Sequence, residues 1–414
     1  MTDKVTGTVT DAGSVAATDA VSDAVTDAWL LAAFGPVFDR IRDGALDREA
    51  GRQLPYEEIG WLRDAGFGKL RLPVEDGGYG ASVEQLVLLL IRLGAADSNL
   101  VQALRGHIGF TESVLARPDD AYRKFWLAEL ATGALVGNAE SERTGSFAEQ
   151  ATRVHRTAAG ELVLDGTKFY TTGSIFADWI LVSTGLELGG LGTVLVRADA
   201  PGVEIRNDWD GFGQRLTGSG TTVFKEVPVD DRFLLERTGE PTVLHAVYQL
   251  VHLAALAGIG AAALEEITGF VRGRKRNLFN PSVPAAQDPV ALQVVGETFG
   301  TARTVEATVL AAARSVDAAY AAGAENAAEI AAADAHVFGV QSSVISLVLG
   351  LVSRIFEVGG ASATSTSRQL DRLWRNARTI SSHNPAIYRQ QFVGGYVLHG
   401  TPPGQALLQL LTEG

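Results

Sequence analysis

Four stretches of the 414-residue chain bring together residue types that can do chemistry. In Gly137-Asn138-Ala139-Glu140-Ser141-Glu142 a strand-like run becomes a polar turn, so backbone donors and the Asn138 amide can meet the edge of a heterocycle; an ordinary strand end reads the same way. In Asp165-Gly166-Thr167-Lys168-Phe169-Tyr170-Thr171-Thr172-Gly173-Ser174 a turn leads into aromatics, hydroxyls and a glycine. A planar ring can lie against Tyr170 while Thr171 and Thr172 hydrogen-bond its polar rim, although β-propensity alone also places threonine on strand edges. Arg272-Gly273-Arg274-Lys275-Arg276 closes a long helical pattern in a chain of net charge −13, and so dense a cationic cluster points to a phosphate. The plainer account is a solvated helix end, where the dipole favours cations. In Arg375–Pro385 the proline disfavours helix at Asn384, which leaves His383 at a helix break. There an imidazole can face a cleft and exchange protons near neutral pH, or be a surface loop histidine.

The remaining histidines (107, 155, 245, 252, 336 and 399) show no metal-ligand spacing, and no metal site is expected. His245 and His252 lie seven residues apart on one helix face and read as packing, whereas His107 shares an inward stripe with Leu100 and Leu104. There is no phosphate loop of the form G-x-x-x-x-G-K-[ST], no strand–G-x-G-x-x-G–helix, no H-E-x-x-H and no G-x-S-x-G. The absence of cysteine excludes disulfides, thiolate metal sites and a cysteine nucleophile, and accords with a reducing cytoplasm. The acidic balance argues against nucleic acid or an anionic membrane as partner. No uninterrupted apolar run reaches the ~20 residues of a membrane span, and no cationic-then-apolar leader opens the chain.

The elements that must position these residues fall into three blocks behind a low-complexity tail at 1–28, rich in Thr, Asp and Ala. Residues 29–132 follow a helical pattern, with Asp97-Ser98 as an N-cap before the stripe that carries His107. Residues 133–235 break into short β-branched runs separated by glycine turns, predicting a small antiparallel β-barrel or sandwich. Residues 236–414 hold long apolar-striped helices, at 243–279, 289–322 and 327–358, with a shorter one at 367–380, predicting a four-helix bundle.

Taken in order, these segments resemble the acyl-CoA dehydrogenase superfamily over roughly residues 29–400. The carriers are Pro73-Val74-Glu75-Asp76-Gly77-Gly78-Tyr79-Gly80, the strand Gly166–Thr172, Val223-Phe224-Lys225-Glu226-Val227-Pro228-Val229 and the helix Arg375-Asn376-Ala377-Arg378. The resemblance implies a mostly helical fold with a central β domain and a bound flavin. A dehydrogenase of this family needs a carboxylate to take the α-proton. Here Ser381-Ser382-His383-Asn384-Pro385 holds no acid, nor does the stretch Pro241–Leu264. The departures are those of the family's class D, two-component monooxygenase branch. That likeness implies reduced FMN from a separate flavin reductase, O2, a C4a-hydroperoxyflavin and a small-molecule substrate oxidised at sulfur, nitrogen or an electron-rich aromatic carbon. It also implies His107 and His383 as active-site histidines, Thr172 and Asn138 beside the flavin, and Arg272 or Arg276 on the FMN phosphate. It implies a homotetramer in which neighbours complete each flavin site. An FAD-dependent dehydrogenase with a displaced base, and a flavin-free scaffold, are the rival expectations.

Overall fold

The computed structural model describes residues 25–143, 150–187, 189–237, 240–274, 277, 282–323, 326–383 and 386–413. Most of the low-complexity tail, Arg276 and the Asn384-Pro385 break lie outside these described residues.

The fold is mostly helical, with a sheet domain between two helical ones. The first block contains α1 (Asp27–Asp43), α2 (Ala45–Gly51), α3 (Tyr56–Asp64), α4 (Val83–Ala103), α5 (Arg105–Leu115) and α6 (Ala121–Ala131). Thr26 caps α1 by accepting from the Trp29 N–H, and Ser82 caps α4 in a reciprocal box with Gln85. The cap expected at Asp97 is present as a kink inside α4. Asp97 is extended there (φ −158°, ψ 107°), and its Oδ1 accepts from the Asn99 backbone N–H at 3.0 Å and from the Asn99 side chain at 2.8 Å. Its other oxygen lies 3.2 Å from the buried Arg48, which also pairs with Glu58 at 2.8 Å.

The strands are β1 (Val136–Ala139), β2 (Arg153–Arg156), β3 (Leu162–Lys168), β4 (Trp179–Gly185), β5 (Leu191–Arg197), β6 (Val203–Ile205), β7 (Thr222–Pro228) and β8 (Leu234–Glu236). They form one eight-stranded sheet in the order β6-β7-β3-β2-β4-β5-β8, with β1 paired to β4. The sheet is mixed, which corrects the antiparallel expectation: β1 runs parallel to β4, from Val136 opposite Trp179 to Ala139 opposite Val182. The two strands are not neighbours in sequence: the chain runs through β2 and β3 between them, so no hairpin forces them antiparallel.

The third block holds α7 (Leu244–Gly273), α8 (Pro289–Ala322), α9 (Ala327–Arg354), α10 (Phe356–Gly359), α11 (Asp371–Ser382), α12 (Ala386–His399) and α13 (Pro403–Glu413). The helix α7 is apolar nearly all round, because it packs against α4 as well as against its bundle neighbours. Gly258 makes the α4 crossing possible: a Cβ there would come 2.6 Å from the Gly94 carbonyl carbon, so the two backbones touch. Three helical stretches, Val83–Ala103, Leu244–Gly273 and Ala327–Thr364, are apolar and long enough to cross a membrane by length and composition. The requirement for an unbroken apolar run overlooked them, because scattered polar residues interrupt each one. The first two spend their apolarity on the interior, being 83% buried, whereas the third is only 39% buried.

Candidate active site

The strand β1 carries Asn138, half-buried, beside Ser174 and the start of α5. The Asn138 carbonyl accepts from Ser174 Oγ at 3.1 Å, while its side-chain Oδ1 is buried without a hydrogen-bond partner among the described residues. Two glycines let neighbouring elements close on it. A Cβ on Gly106 would sit 2.8 Å from Asn138 Oδ1, and one on Gly137 would sit 2.4 Å from Ser174 Cα.

Beyond β3 the backbone turns sharply. Tyr170 takes the left-handed conformation (φ 59°), uncommon for a residue with a side chain, and leaves its ring 47% exposed, edge-on to Trp209 at 5.9 Å. Thr172 Oγ1 pairs with Ser219 Oγ at 2.7 Å, and Ser219 pairs in turn with Thr217 at 2.6 Å. Gly173 (φ 78°) packs where any Cβ would meet the Ala103 carbonyl oxygen at 2.0 Å. Thr171 faces the other way. It is fully buried, and its hydroxyl bonds Gly220 O at 3.1 Å and Thr222 Oγ1 at 2.7 Å. That hydroxyl is therefore committed to the sheet and turned from the rim where a ring would lie.

His107 is likewise spent on architecture. Its Nε2–H donates to Gly68 O at 2.9 Å and its Nδ1 accepts from the Val136 N–H at 3.4 Å, which ties β1 to the N-terminal domain. The histidine that accompanies His383 is instead His252 of α7. Their ring centroids lie 4.5 Å apart at 52°, with His383 exposed just past α11 and His252 only 2% exposed. The His252 Nε2 has no hydrogen-bond partner among the described residues. Burial, then the charges of Arg105, His383 and Arg389, hold His252 well below the usual imidazole range.

Sequence reasoning missed His252, since nothing local couples it to His383. It also missed Arg105, whose signal was available: one cation in the otherwise uncharged stretch Asn99–Gly106. Arg105 Nε donates to Tyr248 O at 3.3 Å and its guanidinium carbon lies 4.5 Å over the Tyr248 ring. Tyr248 stands one helical turn before His252. Of the acids nearby, Glu140 accepts from Arg237 at 2.6 Å, and Asp334 lies 3.7 Å from His245 Nδ1 with its own Oδ1 buried and without a hydrogen-bond partner among the described residues. Arg272 is exposed on the last turn of α7, twenty residues beyond His252. At ~1.5 Å of rise per residue that is roughly 30 Å from the cleft.

Burial also depresses His107. For both imidazoles the sign is the same. The unfolded chain takes up protons near pH 6.5 while the folded chain does not, so stability is full above that pH and is lost as pH falls toward the depressed values. The midpoint of thermal unfolding is expected to drop between pH 7.5 and 5.5, and to drop less in His252→Leu. An equal drop in the variant would show that His252 does not carry the effect.

This arrangement, a sheet edge and a hydroxyl-lined turn facing a helical bundle, defines the class. The chain belongs to the acyl-CoA dehydrogenase family. The family's middle-domain model, "Acyl-CoA dehydrogenase, middle domain", matches residues 134–227, and "Acyl-CoA dehydrogenase, C-terminal domain" matches residues 250–386. Among its relatives, the Pseudomonas putida protein named "Probable FMNH2-dependent monooxygenase SfnC" is 28% identical over 378 residues, 87% of this chain and 92% of the relative. A dibenzothiophene monooxygenase of Mycolicibacterium goodii is 27% identical over 376 residues, 86% of this chain and 91% of its own. The crystal structure of FMN-bound TdsC from Paenibacillus sp. A11-2 superposes with a TM-score of 0.83 at 25% identity, covering 90% of this chain and 98% of that one.

Proposed function

We propose that this chain is the oxygenase of a two-component system, which receives reduced FMN from a separate flavin reductase and inserts one atom of O2 into a small organic molecule. The enzyme class is flavin-dependent monooxygenase, and the cofactor is FMN. The finer assignment is to oxidation at a sulfur or nitrogen atom or an electron-rich aromatic carbon. The observation that carries this reading is the imidazole pair His252–His383, where neither contributing segment, Pro241–Leu264 nor Ser381–Pro385, holds an acid. A dehydrogenase would need a carboxylate base there.

The cleft fits a flavin ring on its own terms. Asn138 Oδ1 and His252 Nε2 are buried without hydrogen-bond partners among the described residues, and the bare glycines 106, 137 and 173 let Asn138, Ser174 and Ala103 approach the neighbouring backbone closely. Reduced FMN, when bound, supplies two electrons to O2, so that one oxygen atom goes to the substrate and the other leaves as water. Asn138 and Ser174 would hold the polar edge of the ring, Tyr170 would cover one face, and the Thr172–Ser219 hydroxyl pair would fix its orientation. His383, exposed beside neutral His252, would deliver the proton that leaves with water. The apolar run of α7 would exclude solvent from the reacting atoms. His107 takes no part in proton transfer in this account; it sets the position of β1 and hence of Asn138. The phosphate is assigned to Arg272 or Arg276 of a neighbouring subunit in a homotetramer, because Arg272 lies so far along α7 from its own cleft.

The test is isotopic. With NAD(P)H, a flavin reductase, FMN and 18O2, a panel of sulfides, amines and phenols is expected to yield a product carrying one labelled oxygen. Label in none of the panel, with O2 consumption equal to that of the reductase alone, would reject the oxygenase reading.

A further inference from the structure

The cleft contains a positive charge that no described carboxylate balances. Arg105 opens α5, with Nε committed to Tyr248 O at 3.3 Å and its guanidinium over the Tyr248 ring. Among the described residues no carboxylate comes within ion-pair distance of it. Glu140, whose charge reaches it, already accepts from Arg237. The Tyr248 carbonyl that Arg105 meets lies one turn from His252, whose Nε2 is buried and unpartnered. From α12, Arg389 faces the same region with its guanidinium carbon 5.3 Å from the Phe338 ring centroid. The other acid in reach, Asp334, lies 3.7 Å from His245, and its charge favours the charged form of Arg389. Burial lowers both arginines to about 10, and Arg105 adds repulsion on Arg389, yet both stay charged at neutral pH. Arg105, half-buried and with no carboxylate within ion-pair distance among the described residues, is the cation of the two placed to take a ligand's charge.

We propose that Arg105, with the unpartnered Nε2 of His252 one helical turn from its anchor, receives an oxyanion carried by the substrate: a carboxylate, sulfinate or sulfonate at the end remote from the atom oxidised. With Nε held by Tyr248, the two terminal amino groups of Arg105 present a fork that matches two oxygens of such a group. Calling the anion a substrate rests on the oxygenase reading above; the receptor itself does not. The other anion that could answer this charge is the ring of reduced FMN, and the two sources are separable.

Isothermal titration of the flavin-free protein with benzenesulfinate and benzoate, against the neutral methyl phenyl sulfoxide and benzamide, reads the receptor directly. The anions are expected to bind at least about tenfold more tightly than their neutral counterparts. Arg105→Gln removes that preference, and Arg105→Lys retains part of it. Anaerobic titration with reduced FMN is expected to differ less than twofold between wild type and Arg105→Gln. Equal affinity of wild type for charged and neutral probes overturns the proposal whether or not the variants fold. So does a variant that loses reduced FMN while keeping its anion preference. An anion that binds through Arg105 yet never takes up 18O supports the receptor and counts against the oxygenase reading alone.

Discussion

His383→Ala is expected to lower formation of oxygenated product by about 10²–10³-fold, within the usual range for removing a general acid, while FMN affinity stays within about twofold. The exposed His383 imidazole lies against the buried His252 ring, which is held neutral, so His383 is the member of the pair open to solvent. Loss of the side chain leaves O2 reduction possible but deprives oxygen transfer of its proton source. Peroxide should therefore rise as product falls. The measurement is product against peroxide under single turnover, with FMN affinity titrated in parallel. His383→Gln keeps a hydrogen-bonding group without a titrating one and should recover little. Unchanged product yield in both variants would return His383 to the status of a loop histidine.

Asp97→Ala is expected to cost about 3 kcal/mol or more, because it removes a helix cap worth ~1 kcal/mol and strips one of two carboxylates from buried Arg48. For a chain this long, each kcal/mol moves the unfolding midpoint by only about 1 °C, so a fall of about 3–4 °C should appear by calorimetry. The kink also aims its neighbours. Ser98 Oγ accepts from Gln214 Nε2 at 3.0 Å and Asn99 Oδ1 from the Leu216 N–H at 3.2 Å. Those contacts anchor the loop that presents Ser219 to Thr172. Asp97→Asn keeps the capping oxygen and loses the charge, and should fall between wild type and Asp97→Ala. Identical midpoints for both variants would mean that only the charge counts.

The parts of the fold legible in the sequence are those dictated by local chemistry. The helix over Pro289–Ala322 matches its pattern end for end, since Asp288 caps it and Gly323 follows it. The cap at Asp97 was equally plain, although the following helix is fused to its predecessor through a kink. Strands β2, β6 and β8 were not legible, being three or four residues long and mostly exposed or half-buried. In the site, adjacency misled. Thr171 and Thr172 look equivalent in sequence, but one points into the sheet and the other toward Ser219. His107 was correctly read as inward, yet its nitrogens go to backbone atoms of Gly68 and Val136, which only the packing of separate elements supplies. Long-range pairs such as His252–His383 leave no trace in spacing.

The separation of His252 and Arg272 along α7 has a consequence for how the enzyme is assayed. If the group that grips the phosphate belongs to another molecule, cofactor binding and subunit association are linked equilibria, and each strengthens the other by the same factor. Apparent FMN affinity then depends on protein concentration, and dilution alone disables the site without disturbing a single residue in it.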